Sequence, residues 1–358
     1  MVKTYDILIK TSLGFEKIVA SRIREIDEDT DVIPAPKGFK GLVLVRAGRL
    51  GKGELYRRII EEVIEADKVI PIDVVVRAEL KEIAEKAASI ARERISRGET
   101  FAVRTTRRGR HGFTSIDVNV VVGDAVRKAT GASVNLRYPD KIVLVEIIGD
   151  LALISILPGS FEWHKYGPGK KPLQKLFRRI AVIQMPYLGP RDSIIVMGRR
   201  IGREVQNFEV RELVIAPTGI VDAEQLMLFI KSVLEGIESR YTIQTKSYPH
   251  KPHKVPVYIM DLHQLVRDRG DEPIIVFEPE GKYIGDVKDE LTELVLKSGK
   301  RVNLLFGSRE GIPQGIYRYA DLVVDIAPGI TLSTDYAAAA GLIALATVLY
   351  NMFRGEGD

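Results

Sequence analysis

Two segments near the C-terminus decide the fold, LLFGSREGIPQG (304–315) and IAPGITLSTDYAAAAGLIALA (326–346). Each starts as an apolar strand, turns at glycine or proline, and the second continues into a helix rich in small residues. The segment PIIVFEPEG (273–281) has the same strand-then-turn form. Ligands of open parallel sheets bind at the carboxyl ends of the strands. We therefore expect these three turns to enclose a flat ligand, largely with backbone groups, or else to be ordinary strand-to-helix turns.

The rest of the back half alternates strands with helices, which predicts a parallel sheet covered by helices on both faces. Predicted helices cover 223–239 and 287–298. The further predicted strands are ELVIAP (212–217), VPVYIM (255–260) and ADLVVDI (320–326). We assign this α/β domain to residues 191–358.

The front half predicts two smaller units. Strands at 4–10, 38–47 and 70–78 alternate with helices at 14–25 and 54–65, which fits a ferredoxin-like α+β module over residues 1–75. The second unit covers residues 76–165. Its predicted elements are a helix at 79–97, a strand running into a basic loop at 100–115, a helix at 116–129 and two strands within 133–157. Turn-rich residues 166–190 predict a basic linker, and ten Lys and Arg face one acid between Lys165 and Arg203.

Charge and composition narrow the function. Residues 1–170 hold 29 Lys and Arg against 24 Asp and Glu, whereas the remaining 24 and 24 balance, so the net charge of +5 belongs to the front half. A basic excess favours a polyanionic partner. The chain has no cysteine, which excludes disulfides, thiolate metal sites and cysteine nucleophiles. A composition with many charged and few amide side chains is typical of proteins from thermophiles. Without a long apolar run or a signal-peptide pattern, we expect a cytoplasmic protein that enters no membrane.

The basic segment FAVRTTRRGRHGFTS (101–115) is the candidate nucleic-acid contact. Glycines let a backbone approach phosphate closely, arginines match phosphate oxygens, and an aromatic ring can stack on a base. A solvated basic turn explains the pattern equally well. The candidate RNA-binding residues are Arg104, Arg107, Arg108, Arg110, His111 and Phe113.

Two other patterns predict no site. GPGKK (167–171) lacks the spacing of a phosphate loop, and Pro172 would interrupt the helix that must follow it. His250 and His253 lie in a proline-punctuated loop with no third ligand at a fixed spacing. We therefore expect no metal.

The segment 76–165, with its GRHGFTS turn, its VGDAV helix and its NLRYPDKIVLVEI strands, resembles a THUMP domain, and residues 1–75 stand where the ferredoxin-like partner of THUMP lies. This resemblance implies binding of the 3′ acceptor end of tRNA. The basic turn would then hold the CCA end.

Residues 185–358, above all FGSREGIP and PGITLSTDYAAAAG, resemble the SPOUT methyltransferases. The resemblance implies a deep trefoil knot, S-adenosyl-L-methionine bent inside it, and a homodimer formed through this domain. The implied cofactor-binding residues are Glu278, Pro279, Gly281, Leu305, Phe306, Gly307, Gly311, Ile326, Gly329, Ile330 and Leu332.

The resemblance also suggests the catalytic residues Arg309, Glu310 and Ser333. A sulfonium methyl is already activated, so the protein must align a nucleophile and remove its proton, and an arginine can stabilise a developing oxyanion. Contact of Arg309 with phosphate is an equally good explanation. Ribose-methylating members often carry Asn and Arg after the first strand of the domain. ELVIAP is interpreted as that strand, and the segment TGIVDAEQ that follows it contains neither Asn nor Arg.

Together the resemblances imply a tRNA methyltransferase of an archaeal type that modifies a ribose 2′-hydroxyl in the acceptor stem, near nucleotide six. Methylation of a base ring nitrogen by the same fold is one alternative. A non-catalytic tRNA-binding protein with a degenerate cofactor site is the other.

Overall fold

The structure, a computed structural model, describes residues 4–163, 170–248 and 250–355. The chain divides into two compact units, residues 1–167 and 168–358. The α/β architecture predicted from the sequence is confirmed, with antiparallel and mixed sheets in the first unit and a parallel sheet in the second.

The N-terminal half of the first unit has the β-α-β-β-α-β order of a ferredoxin-like module. Its antiparallel sheet has the strand order β2-β3-β1-β4. The elements are β1 (Ile7–Thr11), α1 (Glu16–Ile26), β2 (Asp31–Pro34), β3 (Leu42–Arg46), α2 (Gly51–Glu62) and β4 (Ala66–Pro71), with a 3₁₀ turn at Pro36–Gly38.

Two details of this module differ from the sequence prediction. The sequence did not predict strand β2, because this strand is only four residues long and ends in proline. The single strand expected at 70–78 is two strands, because β4 ends at Pro71 and β5 (Val74–Arg77) belongs to the next sheet. Asp73 lies between them, and its carboxylate accepts a hydrogen bond from the Ile156 amide at 2.8 Å.

The C-terminal half of the first unit is a five-stranded mixed sheet in the order β5-β9-β8-β6-β7. Strand β6 pairs in parallel with β7 and β8, while β9 pairs antiparallel with β5 and β8. The remaining elements are α3 (Leu80–Arg94), β6 (Thr100–Arg108), α4 (Ser115–Thr130), β7 (Ser133–Val134), β8 (Lys141–Ile148) and β9 (Leu151–Pro158), with a 3₁₀ turn at Gly159–Phe161.

The alternation of strand β1 shows how the two sheets of the first unit share a core. Ile7 and Ile9 pack with the helices of the first module. Leu8, on the opposite face, packs with Ile142 and Leu153 from the second sheet. Since side chains alternate along a strand, one apolar strand can serve two cores at once.

The second unit is built on a fully parallel six-stranded sheet in the order β12-β11-β10-β14-β13-β15. Its strands are β10 (Ile180–Gln184), β11 (Glu212–Ile215), β12 (Val257–Ile259), β13 (Ile274–Tyr283), β14 (Val302–Phe306) and β15 (Leu322–Asp325). Its helices are α5 (Gln174–Phe177), α6 (Arg191–Phe208), α7 (Ala223–Ser247), α8 (Leu262–Asp268), α9 (Lys288–Leu291), which continues as a π-helix (Thr292–Lys297), α10 (Gln314–Tyr317) and α11 (Thr334–Gly355).

The assignment of 166–190 to a linker was wrong for the part that the structure describes. Residues 180–184 form β10, a buried strand between β11 and β14, and the domain therefore begins before residue 191. The apolar sequence IAVIQ explains this position, because a strand covered on both faces by helices is continuously apolar. Residues 166–169 lie outside the described residues, and the trefoil knot stays a prediction.

Helix α11 is long and apolar enough over Thr334–Met352 to cross a membrane by length and composition. In the structure its Leu342, Leu345 and Leu349 are fully buried in the core on one face of the parallel sheet. A helix of the interior has the same composition, so we assign α11 to the core of the second unit.

Glycines let helices α6 and α7 approach closely. A Cβ atom on Gly202 would lie 2.1 Å from the carbonyl oxygen of Val233, and one on Gly236 would lie 2.2 Å from that of Arg199. The two helices therefore pack backbone against backbone, and no side chain fits between them at these positions.

We predict that Gly202→Ala destabilises the protein by about 1–3 kcal/mol, because the added methyl group must push the helices apart. Urea unfolding followed by circular dichroism measures this change. Gly53→Ala is the matched control, since a Cβ there meets nothing within 4 Å and alanine favours a helix. Equal stability of the two variants would contradict the prediction.

Candidate functional site

The three glycine- and proline-bearing turns of the second unit converge on one pocket, at a bulge within β13 and at the carboxyl ends of β14 and β15. The pocket is lined by Phe277, Glu278, Pro279, Gly307, Ser308, Arg309, Gly311, Val324, Asp325, Ile326, Ala327, Ile330, Thr331, Leu332, Thr334 and Ala337. Of the predicted cofactor residues, this set includes Glu278, Pro279, Gly307, Gly311, Ile326, Ile330 and Leu332. We call it the cofactor pocket.

The other four predicted cofactor residues do not line this pocket. Leu305 is fully buried in the core, and the ring of Phe306 stacks on that of Phe277 with centroids 4.9 Å apart. Gly281 brings two strands together, because a Cβ there would lie 2.5 Å from the backbone nitrogen of Val324. Gly329, at φ 79°, forms the turn before α11. Leu305 and Phe306 therefore belong to the core, whereas Gly281 and Gly329 act through the backbone.

The first turn is a bulge rather than a strand end. The pairing of β13 with β15 shifts register between Phe277 and Lys282, which leaves residues 278–281 outside the ladder. A bulge of this kind redirects side chains from the sheet. Here it directs Glu278 to the second turn, where its Oε1 accepts a hydrogen bond from the Ile312 amide at 2.7 Å.

Glu278 approaches the second turn closely because Gly307 has no side chain. A Cβ on Gly307 would lie 2.4 Å from Glu278 Oε1. Burial raises the pKa of Glu278, the Ile312 amide partly offsets this, and the charge of Glu280 adds to the increase. Glu278 thus holds the backbone of the second turn as well as lining the cofactor pocket.

A second pocket lies beside the cofactor pocket, at the carboxyl ends of β10, β11 and β14. It is lined by Met185, Pro186, Leu188, Pro217, Thr218, Ile220, Val221, Ser308, Arg309 and Glu310. Ser308 and Arg309 line both pockets. The two cavities therefore meet at Ser308 and at Arg309, and Arg309 is one of the predicted catalytic residues.

The predicted catalytic residues separate into two places. Arg309 and Glu310 lie together in the second turn, whereas Ser333 precedes α11, where its carbonyl accepts from the amides of Tyr336 and Ala337. Burial disfavours the charged form of Asp335, but hydrogen bonds from Arg200 and the Ser333 hydroxyl outweigh it and hold the pKa of Asp335 below its usual value. The Ser333 hydroxyl is thus engaged at the helix start.

The first strand of the domain along the chain is β10, not ELVIAP as the sequence interpretation assumed. The segment after it, MPYLGPR (185–191), contains Arg191 at the start of α6 and no Asn. Sequence reasoning missed this loop because it was assigned to the linker. An apolar strand followed by Pro and Gly was the available signal.

In the first unit, two of the predicted RNA-binding arginines bond to acidic side chains. Arg104 Nε donates to Glu162 at 2.9 Å, and Arg108 Nη1 donates to Glu146 at 2.9 Å. Glu146 is 1% exposed and also bonds Lys10 of the ferredoxin-like module. Arg108 therefore has a structural role, whatever its part in RNA binding.

The tip of the basic turn has other partners. Arg107 Nη1 lies 3.1 Å from His111 Nδ1, and His111 Nε2 lies 2.6 Å from the Gly149 carbonyl oxygen. The Phe113 ring packs on the core of the second sheet, with its centroid 5.3 Å from that of His111. Arg110 is exposed. This leaves Arg110 as the most accessible of the predicted contacts, and binding by all six stays a prediction.

His250 and His253 fix the loop between α7 and β12 through contacts with Glu209. His250 Nε2 lies 2.9 Å from Glu209 Oε1, and the His253 amide donates to the other oxygen of that carboxylate at 2.8 Å. Asp261 caps helix α8 by accepting from the Gln264 amide. Within the described ranges, no group of three or more metal-binding side chains forms.

Comparison with known proteins agrees with this architecture. A model of the THUMP domain matches residues 77–157, and a model described as AF2226-like SPOUT RNA methylase fused to THUMP matches residues 174–356. Fold and site thus define a THUMP-containing SPOUT protein. The chain belongs to the AF2226-like SPOUT RNA methylases fused to THUMP, and both resemblances drawn from the sequence are confirmed.

The chain is similar to two curated proteins and one solved structure to different extents. An uncharacterized protein of Methanocaldococcus jannaschii is 39% identical over 351 residues, which are 98% of this chain and 94% of the relative. A tRNA sulfurtransferase of Thermoplasma acidophilum is 33% identical over 187 residues, which are 51% of this chain and 35% of that protein. The crystal structure of PH1313 from Pyrococcus horikoshii Ot3 covers 98% of this chain and 100% of its own, at 16% identity and a TM-score of 0.37.

We predict that Arg108→Gln and Arg110→Gln have different effects. Loss of the Arg108 charge leaves the buried Glu146 with one cationic partner fewer and lowers the free energy of unfolding by about 2 kcal/mol. Arg110→Gln leaves stability unchanged. If Arg110 contacts a phosphate, the variant also releases about one counterion fewer on binding RNA, which makes the affinity less dependent on salt. Urea unfolding and titration of Trp163 fluorescence with tRNA measure the two effects.

Trp163 suits this titration because it is the only tryptophan and is 98% exposed. Equal stability of the two variants would contradict the structural role of Arg108. An unchanged salt dependence in Arg110→Gln would remove Arg110 from the RNA contacts.

We predict that Glu278→Gln is more stable than the wild type at pH 8 and that this advantage disappears in acid. A raised folded pKa means that the wild type loses stability as the pH rises from about 4.5 through the folded pKa, whereas Gln is neutral throughout and keeps an oxygen for the Ile312 amide. Unfolding measured at several pH values tests this. An advantage that is the same at every pH would contradict it.

Proposed function

We propose that the protein is an S-adenosyl-L-methionine-dependent tRNA methyltransferase, with the first unit binding the tRNA 3′ acceptor end and the second transferring the methyl group. Membership of a family of RNA methylases supports the reaction. The single observation that carries the proposal is the meeting of the two pockets at Ser308 and Arg309. One pocket can hold the cofactor and the other the acceptor nucleotide.

The lining of the cofactor pocket fits S-adenosyl-L-methionine. Apolar Ile326, Ile330 and Leu332 suit the adenine ring, while hydroxyls of Thr331 and Thr334 suit polar atoms of the ribose and amino-acid parts. The acidic Glu278 and Asp325 favour a cationic ligand. Bound there, the cofactor supplies an electrophilic methyl group.

The residues of the chain then have to position and stabilise the acceptor. Arg309 is exposed and forms no hydrogen bond or ion pair with the residues that the structure describes, so no acidic side chain neutralises its charge. A guanidinium in this position stabilises negative charge on an acceptor oxygen as its proton leaves. This favours a ribose 2′-hydroxyl over a base nitrogen, and the family resemblance alone suggests that this ribose lies in the acceptor stem, near nucleotide six.

The THUMP domain and relatives named as tRNA sulfurtransferases support tRNA as the proposed substrate. The present chain contains no cysteine that could carry a persulfide. The second unit therefore has different chemistry from a cysteine-based sulfur carrier. Methyl transfer fits its pockets without such a residue.

We also propose a homodimer formed through the second unit, as the SPOUT resemblance implies. Exposed large side chains on α11 support this, since Tyr336 is 55% exposed and Ile343 is 51% exposed. Sedimentation equilibrium of the full chain measures the mass. A monomer at micromolar concentration would exclude the dimer.

We predict that purified protein transfers labelled methyl groups to tRNA transcripts and that Arg309→Met lowers kcat about 100-fold, because one oxyanion-stabilising group is lost. Arg318→Met, an exposed arginine that lines neither pocket, is the control and keeps the wild-type rate. Methyl incorporation from labelled cofactor measures both.

Alkaline hydrolysis of the product distinguishes the acceptor atoms, since a ribose 2′-O-methyl group protects the adjacent phosphodiester and base methylation does not. A raised KM for tRNA with unchanged kcat in Arg309→Met would make this residue a phosphate contact. Calorimetry that shows no cofactor binding, together with no incorporation, would leave a non-catalytic tRNA-binding protein.

A further inference from the structure

The loop after β10 forms one wall around Arg309. The guanidinium carbon of Arg309 lies 5.8 Å from the centroid of the Tyr187 ring, and a Cβ on Gly189 would lie 3.1 Å from Arg309 Nη1. One side of the guanidinium thus faces an aromatic ring, and the backbone of a glycine approaches its edge. Attraction between a cation and the face of a ring favours this arrangement.

Tyr187 is itself held in place. Its ring is partly buried and packs against the main core of the second unit. The loop is tied to the Arg309 turn by Gln184, which is fully buried and whose Nε2 donates to the carbonyl oxygens of Met185 at 3.1 Å and Gly307 at 3.0 Å. The ring and the guanidinium therefore belong to two turns with a fixed relation.

A tyrosine ring restrains Arg309 without neutralising it. In the part of the chain that the structure describes, no carboxylate lies within ion-pair distance of Arg309, whereas Arg200 bonds Asp335 at 2.9 Å. A carboxylate partner would hold an arginine equally well but would cancel its field at the boundary between the pockets. The Tyr187 ring therefore restrains the position of the Arg309 guanidinium and leaves its positive charge intact.

We propose that Tyr187 is a positioning residue that holds the Arg309 guanidinium between the cofactor pocket and the second pocket, so that its charge faces the acceptor oxygen of the RNA substrate. This inference rests on the proposed function for the identity of the reaction. The position of Arg309 itself does not depend on that function. The two ideas can therefore fail separately.

The kinetic test compares Tyr187→Leu with Tyr187→Phe in the full-length protein, with tRNA transcripts and labelled S-adenosyl-L-methionine. Leucine keeps an apolar side chain but has no ring face, and we expect kcat to fall roughly tenfold. Phenylalanine keeps the face, and we expect kcat within about twofold of the wild type. Tyr319→Leu, an exposed tyrosine that lines neither pocket, is the control.

A double-mutant cycle separates positioning from a general structural role. If Tyr187 acts through Arg309, Tyr187→Leu has no further effect on kcat in the Arg309→Met background. The dissociation constant of the cofactor, measured by calorimetry, stays unchanged in Tyr187→Leu. Additive losses of kcat, or a loss in Tyr187→Phe as large as in Tyr187→Leu, would overturn the proposal.

A crystal structure of Tyr187→Leu gives a readout that needs no activity. We expect the Arg309 guanidinium to leave its position beside residue 187, and a guanidinium that keeps its place would overturn the inference. If the wild type transfers no methyl group, the proposed function fails and this structure still decides the positioning role. If the wild type is active and Tyr187→Leu matches it, the positioning role fails alone.

Discussion

The geometry of the candidate site depends on two hydrogen bonds that join the buried Gln184 and the partly buried Glu278 to the backbone of the second turn, residues 307–312. The Gln184 amide donates to the Gly307 carbonyl at one end, and the Glu278 carboxylate accepts from the Ile312 amide at the other. Only the NH₂ end of Gln184 can bond to carbonyls, so its orientation is determined. A backbone group left without a partner in the interior would be costly, which makes both bonds a condition of this turn.

These two bonds have consequences for the whole site. Because the turn is fixed at both ends, Ser308 and Arg309 are held where the cofactor pocket and the second pocket meet. Polar groups that are already in place need no rearrangement when charge develops on a substrate. The fixed turn thus connects the packing of the parallel sheet to the chemistry that the site can support.

The sequence was sufficient to predict the parallel sheet and the convergence of its three turns, because glycine and proline after apolar strands mark carboxyl ends. It was not sufficient for β10, since IAVIQ lies in a basic stretch and its partner β14 is about 120 residues away. Leu305 and Phe306, which were predicted to contact the cofactor, lie in β14, the strand that leads into the second turn. Their burial became apparent only when the packing of α11 and the sheet was known.

The basic segment of the first unit shows a second limit of the sequence. Composition identified a cluster of arginines, but it could not show that Glu162 and Glu146 would pair with two of them. These acids are 58 and 38 residues away from their partners, and the register of β6, β8 and β9 brings them together. Long-range pairing of this kind depends on topology rather than on local pattern.

The contrast between the arginines of the two units explains how one residue type serves two purposes. Arg108 contacts a buried carboxylate on the neighbouring strand β8 of its own sheet, so its charge is largely cancelled where it lies. Arg309 instead lies beside the Tyr187 ring, which attracts a cation but carries no net charge. A substrate oxygen that gains negative charge would therefore be attracted by Arg309 without competition from an acidic partner. An aromatic neighbour in place of a carboxylate is therefore consistent with the catalytic role that we propose for Arg309.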